Sequence, residues 1–273
     1  MNPLAIISSA CPLILCSAGA LFSEYAGILS LFLEGLISFS AFLTYTFTIF
    51  TGNALLGQVI SSLICVILVF GASLLIEKFK ANHFICGIAL NLIFSALISL
   101  FSFLIFKTRG VLTSTLFSFD VKTVRIITIF VTVIFVVAGI FFISKTKGGI
   151  YLRITGSDSE VLMAKGVNPV FYRILSWCVA AFYASLAGGF LAFRISSFVP
   201  NIASGRGWMA LAAVFLGKKK PWKIVLAVLI FCCAEIFSSV IQNFISVPPT
   251  ILLSFPYLIV ILMIAAGKKH GEN

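Results

Sequence analysis

The chain has 273 residues, of which 61% are hydrophobic and 10% are charged, and its mean hydropathy is +1.18. An ordinary soluble domain carries about 25% charged residues, so a water-soluble globule is excluded. The formal net charge is +11, but the basic residues are dispersed among apolar runs and form no basic face that would bind nucleic acid.

Nine apolar runs follow one another along the chain, and most approach the roughly 20 residues that a helix needs to cross the hydrocarbon layer of a membrane. They lie at residues 4–22, 27–50, 54–76, 84–106, 125–144, 174–194, 199–216, 223–244 and 249–267. The first run follows no basic segment and is interpreted as a membrane helix, not as a cleaved signal peptide. The pattern predicts an all-α polytopic protein with about eight or nine membrane segments, folded as one transmembrane domain over residues 1–273.

The run at 199–216 is short and carries Arg206 between two glycines. Irregular backbone is tolerated in a membrane only where protein or a water-filled cavity covers it. We therefore expect a short or broken helix here, which either crosses the membrane or re-enters it.

Lysine and arginine are distributed unequally between the two predicted sides of the membrane. One side receives Lys78, Lys80, Lys145, Lys147, Arg153, Lys165, Arg173, Lys218, Lys219, Lys220, Lys223, Lys268 and Lys269. The other receives only Lys107, Arg109, Lys122, Arg125, Arg194 and Arg206. Because cytoplasmic loops are enriched in basic residues, the C-terminal tail is predicted to be cytoplasmic and the N-terminus external. Three tryptophans near predicted span ends are expected to be interfacial anchors, namely Trp177, Trp208 and Trp222.

Residues 145–173 break the membrane pattern and contain a short polar helix. Ser157 and Glu160 match the S-x-x-E capping box that starts a helix, and Gly166 followed by Asn168 and Pro169 is typical of a helix end. The pattern predicts a capped helix at 157–165. Such a helix belongs either to a surface connector or to a docking element for a cytoplasmic partner.

The stretch RITGSDSEVLMAKGVNP in this segment resembles the cytoplasmic coupling segment of ABC importer permeases of the branched-chain amino acid, monosaccharide and nucleoside superfamily. The pattern of that family is roughly R-x-x-G-x-x-x-x-x-A-x-x-x-G-V. The matching positions are Arg153 and Gly156 and, with looser spacing, Ala164, Gly166 and Val167. Two further blocks are similar to the nucleoside and simple-sugar branch: ALFSEYAGILSLFLEG at 20–35 and GRGWMALAAVFLGKKKPW at 205–222.

The resemblance implies a permease subunit that translocates a nucleoside or related small solute across the cytoplasmic (inner) membrane of a bacterium by alternating access. The implied partners are an ABC ATPase, a second permease subunit in a homodimer or heterodimer, and an extracytoplasmic substrate-binding lipoprotein. The chain itself is expected to need no cofactor, since ATP would be bound by the ATPase subunits. The residues that would couple the chain to the ATPase are Arg153, Gly156, Ser157, Glu160, Ala164 and Gly166.

The sequence contains no motif of an ATPase or a metalloenzyme. A phosphate-binding G-x-x-x-x-G-K-[ST] run and an H-E-x-x-H helix are both missing. His83, Asp120, Asp158 and His270 fall in predicted loops or in the tail, so they cannot form a catalytic set in the interior. The seven cysteines lie in apolar runs without C-x-x-C spacing and are interpreted as small buried hydrophobic residues. No catalytic residue and no metal site are predicted.

Polar side chains inside the predicted spans are the remaining functional candidates, because charged groups at membrane depth are costly. Glu34 and Glu235 both approach the middle of their spans. Together with Asn91 and Gln242 they are candidates for the translocation path, and Gln58 and Asn243 are weaker ones. The alternative is that each only ties its helix to a neighbour.

The solute is the least determined feature. The blocks at 20–35 and 205–222 favour nucleosides over branched-chain amino acids, and the 29 phenylalanines suit stacking against a planar base. Riboflavin or a simple sugar stays open within the same importer class. An ion-coupled secondary transporter, with Glu34 or Glu235 as its coupling carboxylate, is the alternative from another class.

Overall fold

The computed structural model of the chain describes residues 3–241. Over that range the fold is all α, as predicted, with one 3-10 turn at Thr115–Phe117 and one antiparallel bridge between Leu112 and Phe198. The helices are α1 Pro3–Tyr25, α2 Leu33–Thr51, α3 Ala54–Lys78, α4 His83–Phe106, α5 Val121–Lys145, α6 Lys147–Ser157, α7 Ser159–Ala164, α8 Pro169–Ile195, α9 Arg206–Leu216 and α10 Pro221–Ile241.

Seven of the described helices, α1 to α5, α8 and α10, are long and apolar enough to cross a membrane. The predicted runs 54–76 and 84–106 agree with α3 and α4 to within two residues. The predicted run 249–267 and Gln242 lie outside the described residues. The polytopic architecture is therefore confirmed for the part of the chain that the structure covers.

The predicted start of the second span, at residue 27, is wrong. Residues 26–32, named here the α1–α2 corner, form turns, and α2 begins at Leu33. Gly27 has φ +77°, a backbone conformation that residues other than glycine rarely adopt. The Ile28 amide donates to the Ser23 carbonyl at 3.1 Å, and the Ser23 hydroxyl donates to the Ser30 hydroxyl at 2.8 Å. Hydropathy could not reveal this turn, because most of its residues are apolar.

The helix α8 forms the centre of the bundle and packs against α1, α2 and α3. Small residues permit the close approach: a Cβ atom on Gly188 would lie 2.2 Å from the Ile37 carbonyl oxygen of α2. Trp177, in α8, is fully buried and packs edge-on against Phe32 with ring centroids 5.0 Å apart. Its predicted role as an interfacial anchor is therefore wrong, whereas Trp208 and Trp222 are exposed.

The connections gather at two ends of the bundle. One end, named here the basic end, holds the segments 26–32, 79–82, 146–168 and 217–220. Its segments touch through ion pairs, such as that between Lys219 Nζ and Glu24 Oε1 at 3.1 Å. The opposite end holds the connections around residues 52–53, 107–120 and 196–198, joined by the Leu112–Phe198 bridge. The grouping of the described loops into two sides thus agrees with the predicted topology.

Candidate coupling surface and translocation site

The short run at 199–216 crosses the bundle as a broken helix, with turns followed by α9. At the opposite end, the Leu112 amide donates to the Phe198 carbonyl at 2.9 Å. The chain then proceeds in turns, where the Ala203 amide donates to the Ser38 hydroxyl at 3.4 Å, and continues as α9. Since α9 has 11 residues, it is about 16 Å long, and the turn that follows it lies at the basic end. Turns and helix together therefore cross the bundle.

Glu34 caps the start of α9. Its Oε1 accepts from the Gly205 amide at 2.6 Å, and its Oε2 accepts from the Gly207 amide at 2.7 Å. The first amides of a helix lack intrahelical partners and form the positive end of its dipole, so a carboxylate is well suited to this position. Gly207 is required for the contact, because a Cβ atom there would lie 2.5 Å from the Glu34 amide nitrogen.

Glu235 and Asn91 border the same place from α10 and α4. Arg206, the first residue of α9, pairs through Nη2 with Glu235 Oε2 at 3.4 Å, and both side chains keep about a quarter of their surface exposed, 21% and 27%. Asn91 accepts through Oδ1 from the Gly35 amide, next to Glu34. The structure thus brings three of the predicted path residues to the start of α9. Gln242, the fourth, lies outside the described residues.

An apolar cavity of about 780 Å³ lies elsewhere, between α3, α5 and α8. Gln58 lines it and donates through Nε2 to the Ser62 hydroxyl at 3.1 Å and to the Ser185 carbonyl at 3.2 Å. The other side chains around it are mostly aliphatic or phenylalanine, with Phe135, Phe182, Phe190 and Phe193 among them. Gln58 therefore ties α3 to α8 and is not part of the cluster at the start of α9.

The segment 145–173 folds into two helices, and the predicted capping box is wrong in detail. Ser157 ends α6, and the residue that caps α7 is Asp158, whose Oδ1 accepts from the amides of Glu160 and Val161 at 3.1 and 3.3 Å. The predicted helix end is confirmed: α7 stops at Ala164, and Gly166 follows with φ +73°. Asn168 and Pro169, expected to prevent continuation, do follow the end of α7, and they also start α8.

The helices α6 and α7 are held to the bundle by one buried leucine each, Leu152 with 1% and Leu162 with 0% of its surface exposed. Val161 and Met163 lie on the two flanks of the buried Leu162 and are 44% and 55% exposed. Glu160 and Ala164, on the side of α7 opposite Leu162, are also exposed, as is Gly166. Exposed apolar side chains at the end of a membrane protein are suited to contacts with another protein.

Contacts between α6 and the α1–α2 corner were not predicted. Gly156 lies directly on the backbone of the corner, since a Cβ atom there would be 2.6 Å from the Gly27 amide nitrogen. The Arg153 guanidinium lies over the Tyr25 ring, 5.1 Å from its centroid. In the sequence, this contact is indicated only by the two glycines, Gly27 and Gly156, and no sequence pattern shows that they lie together.

A polar pocket of about 360 Å³ opens beside this contact, lined by Thr155, Ser157, His83 and Arg173 among others. Glu77 connects two of these lining residues: its Oε1 lies 2.9 Å from His83 Nε2 and 3.9 Å from Arg173 Nη1. These contacts join the ends of α3, α4 and α8 beside residues 146–168.

The family model described as "Branched-chain amino acid transport system / permease component" matches residues 2–266. The guanosine ABC transporter permease protein NupQ of Bacillus subtilis is 27% identical, over 94% of this chain and 89% of that protein. The nucleoside ABC transporter permease protein NupC of Lactococcus lactis is 25% identical, over 96% of this chain and 92% of that protein.

A third relative, from Haloferax volcanii, is provisionally named a glucose ABC transporter permease protein and is 27% identical over 83% of this chain and 73% of its own length. Among solved structures, PsaBC from Streptococcus pneumoniae in complex with Fab matches 96% of this chain and 91% of the solved chain, with a TM-score of 0.55 and 16% identity. At that identity the likeness concerns the fold alone.

Proposed function

The chain belongs to the family of branched-chain amino acid transport system permease components, and we propose that the solute it translocates is a nucleoside. Membership and the named relatives make it a multi-pass permease subunit of an ABC importer for a nucleoside or a sugar. Such permeases lack their own ATPase activity and work with ATPase and substrate-binding partners. The nucleoside assignment rests on two relatives, named for guanosine and for nucleosides, that match almost the whole chain.

The path is proposed to pass the start of α9, bordered by Glu34, Asn91 and Glu235; Gln242 stays a path residue predicted from the sequence, outside the described residues. The first three are supported by their convergence there, with Arg206 and Glu235 partly exposed. Selection would be made by the external binding protein, so this site is expected to hold the solute weakly. Alanine substitutions of Asn91 or Gln242 should lower the uptake rate more than they change which solute is chosen.

The ion-coupled alternative is disfavoured by the partners of the two carboxylates. Both oxygens of Glu34 accept backbone amides of α9, and Glu235 is paired with Arg206. A coupling carboxylate must bind and release an ion in every cycle, which these partners would oppose. The energy is instead proposed to come from ATP bound by partner subunits, without a cofactor in this chain.

Coupling is proposed to occur at the basic end, through α6 and α7. Closure of the ATPase dimer would displace these helices and rearrange the spans by alternating access, with a second permease subunit completing the pathway. The exposed Val161 and Met163 of α7 would contact the ATPase, and the residues assigned to coupling remain Arg153, Gly156, Ser157, Glu160, Ala164 and Gly166. The excess of Lys and Arg at this end supports a cytoplasmic position for it and for the C-terminal tail.

A competition experiment on uptake tests the identity of the solute. Cells that carry the complete transporter should take up radiolabelled guanosine, and unlabelled purine nucleosides should compete, whereas ribose and riboflavin should not. Cells without this chain are the control. Strong ribose uptake that nucleosides fail to inhibit would contradict the nucleoside assignment and favour the sugar alternative.

A further inference from the structure

The short helix α9 is held at both of its ends by residues that flank the α1–α2 corner. At its start, Glu34 accepts the amides of Gly205 and Gly207. At its far end, the Tyr25 hydroxyl donates to the Lys219 carbonyl at 2.6 Å, and Lys219 Nζ lies 3.1 Å from Glu24 Oε1. Residues only ten positions apart thus hold a helix that begins more than 170 positions later in the sequence.

The far attachment is formed at the turn that ends α9. Lys218 and Lys219 have positive φ angles of 47° and 59°, and their amides close the turn by donating to the Phe215 and Val214 carbonyls, as is common at helix ends. The Tyr25 hydroxyl donates to the Lys219 carbonyl, and Lys219 Nζ donates to the Glu24 carbonyl at 3.2 Å. The turn after α9 is therefore fixed to the end of α1.

The corner between the two attachments is itself rigid. Its hydrogen bonds to α1 include the buried Ser23–Ser30 hydroxyl pair, and the Leu33 amide closes it by donating to the Ser30 carbonyl at 3.3 Å. Phe32 is fully buried against Trp177 of α8. A buried, internally bonded segment transmits a displacement instead of absorbing it.

The helix α6 contacts this unit at the attachment residue itself. Arg153 lies over the ring of Tyr25, whose hydroxyl holds the end of α9. Gly156 contacts the backbone at Gly27 without any side chain between them. A displacement of α6 toward the corner must therefore move the corner, because the two backbones are already in contact.

We propose that the α1–α2 corner and α9 move as one body, and that Tyr25 and Glu34 are the positioning residues that pass a displacement of α6 to the start of α9. This inference rests on the proposed coupling role of α6 and α7. It gives Glu34 a mechanical function: the carboxylate moves the broken helix at the place where the predicted path residues converge. Neither residue needs to touch the solute for the relay to operate.

The chain offers a matched pair of variants. Tyr25→Phe removes one hydroxyl that donates to a backbone carbonyl at 2.6 Å, and keeps the ring under Arg153. Tyr183→Phe removes a bond of the same length and type, from the Tyr183 hydroxyl to the Phe135 carbonyl at 2.6 Å, between α8 and α5. For each variant, the complete transporter is reconstituted in proteoliposomes, and the ratio of solute transported to ATP hydrolysed is measured.

Tyr25→Phe should lower this ratio by about fivefold, the effect of one hydrogen bond, with an unchanged solute concentration for half-maximal uptake. Tyr183→Phe should leave the ratio as in the unmodified transporter. Equal ratios for the two variants would overturn the relay. If Tyr25→Phe fails to assemble, Glu24→Gln replaces it, because it removes the ion pair that joins Glu24 to Lys219 at the same attachment. The relay predicts a lower ratio for Glu24→Gln, and an unchanged ratio would overturn it.

Failure of the relay can be separated from failure of the coupling proposal. Met163→Glu changes an exposed side chain of α7 that is remote from the Tyr25 attachment in sequence. If Met163→Glu lowers solute transported per ATP while Tyr25→Phe does not, coupling at α7 stands and the relay is wrong. If neither variant changes the ratio, both the coupling proposal and the relay are wrong.

Discussion

Replacing Gly156 by alanine is the smallest perturbation that separates the coupling segment from the α1–α2 corner. The new Cβ atom would lie 2.2 Å from the Tyr25 carbonyl oxygen and 2.6 Å from the Gly27 amide nitrogen. Since carbon atoms in contact are roughly 3.5 Å apart, the two backbones must separate by about 1.3 Å. Both obstructing atoms belong to the main chain, so no side-chain rotation can relieve the contact.

The free-energy cost of Gly156→Ala follows from two opposing effects. Overpacking costs about 1–3 kcal/mol, and these two main-chain contacts, both below 3.0 Å, place Gly156→Ala in the upper part of that range, at about 2–3 kcal/mol. Replacing glycine by alanine in a helix gains about 1 kcal/mol. The net loss of about 1–2 kcal/mol corresponds to a decrease of about 5- to 30-fold in the population with α6 seated on the corner. Gly71→Ala is the control, because α3 leaves open space around that position.

Reconstituted transporters provide the assay, with solute uptake and ATP hydrolysis measured on the same preparation. Gly156→Ala should reduce solute transported per ATP by a factor in that range, at an unchanged amount of inserted protein. Gly71→Ala should match the unmodified chain. Equal behaviour of the two alanine variants would refute the assignment of a coupling function to the contact between Gly156 and Gly27.

Three further outcomes are expected. Met163→Glu should reduce co-purification of the ATPase with the permease, because it places a charge at an exposed apolar position of α7. Undiminished co-purification would exclude this side of α7 as the docking surface. Single cysteines at the exposed positions Lys165 and Thr113, in a cysteine-free chain, should react oppositely with an impermeant thiol reagent, Thr113 from outside only; labelling of position 165 from outside would reverse the orientation. Glu235→Gln should lower the yield of inserted protein by removing the ion pair that Arg206 forms with Glu235, and the further change Arg206→Gln should restore it. No recovery would mean that the pair has another role.

Much of the fold could be predicted from hydropathy, because a long membrane helix consists of one continuous run of apolar residues. The runs that became α3 and α4 have nearly the observed bounds for that reason. Local chemistry also identified the end of α7 at Gly166, whose φ of +73° favours glycine. The same local reasoning chose Ser157 as the cap, although Asp158, one residue later, has that role.

The site could be predicted only in part, because its contacts join distant residues. Glu34 was selected as an acidic residue at membrane depth, but nothing in the sequence indicates that its partners are Gly205 and Gly207. The helix α6 was missed, since KGGIYLRITGS combines glycines and β-branched residues of low helix propensity. Tertiary contacts with the corner stabilise it, and a single sequence does not contain them.

Dependence of guanosine uptake on ATP hydrolysis tests the account most directly. Proteoliposomes would contain this chain with its partner permease, ATPase and binding protein, and uptake would be measured with ATP, without ATP, and with ion gradients imposed or collapsed. The account predicts uptake that requires ATP and the ATPase subunit and that persists when proton and sodium gradients are collapsed. Uptake that continues without the ATPase and follows an imposed ion gradient would contradict it.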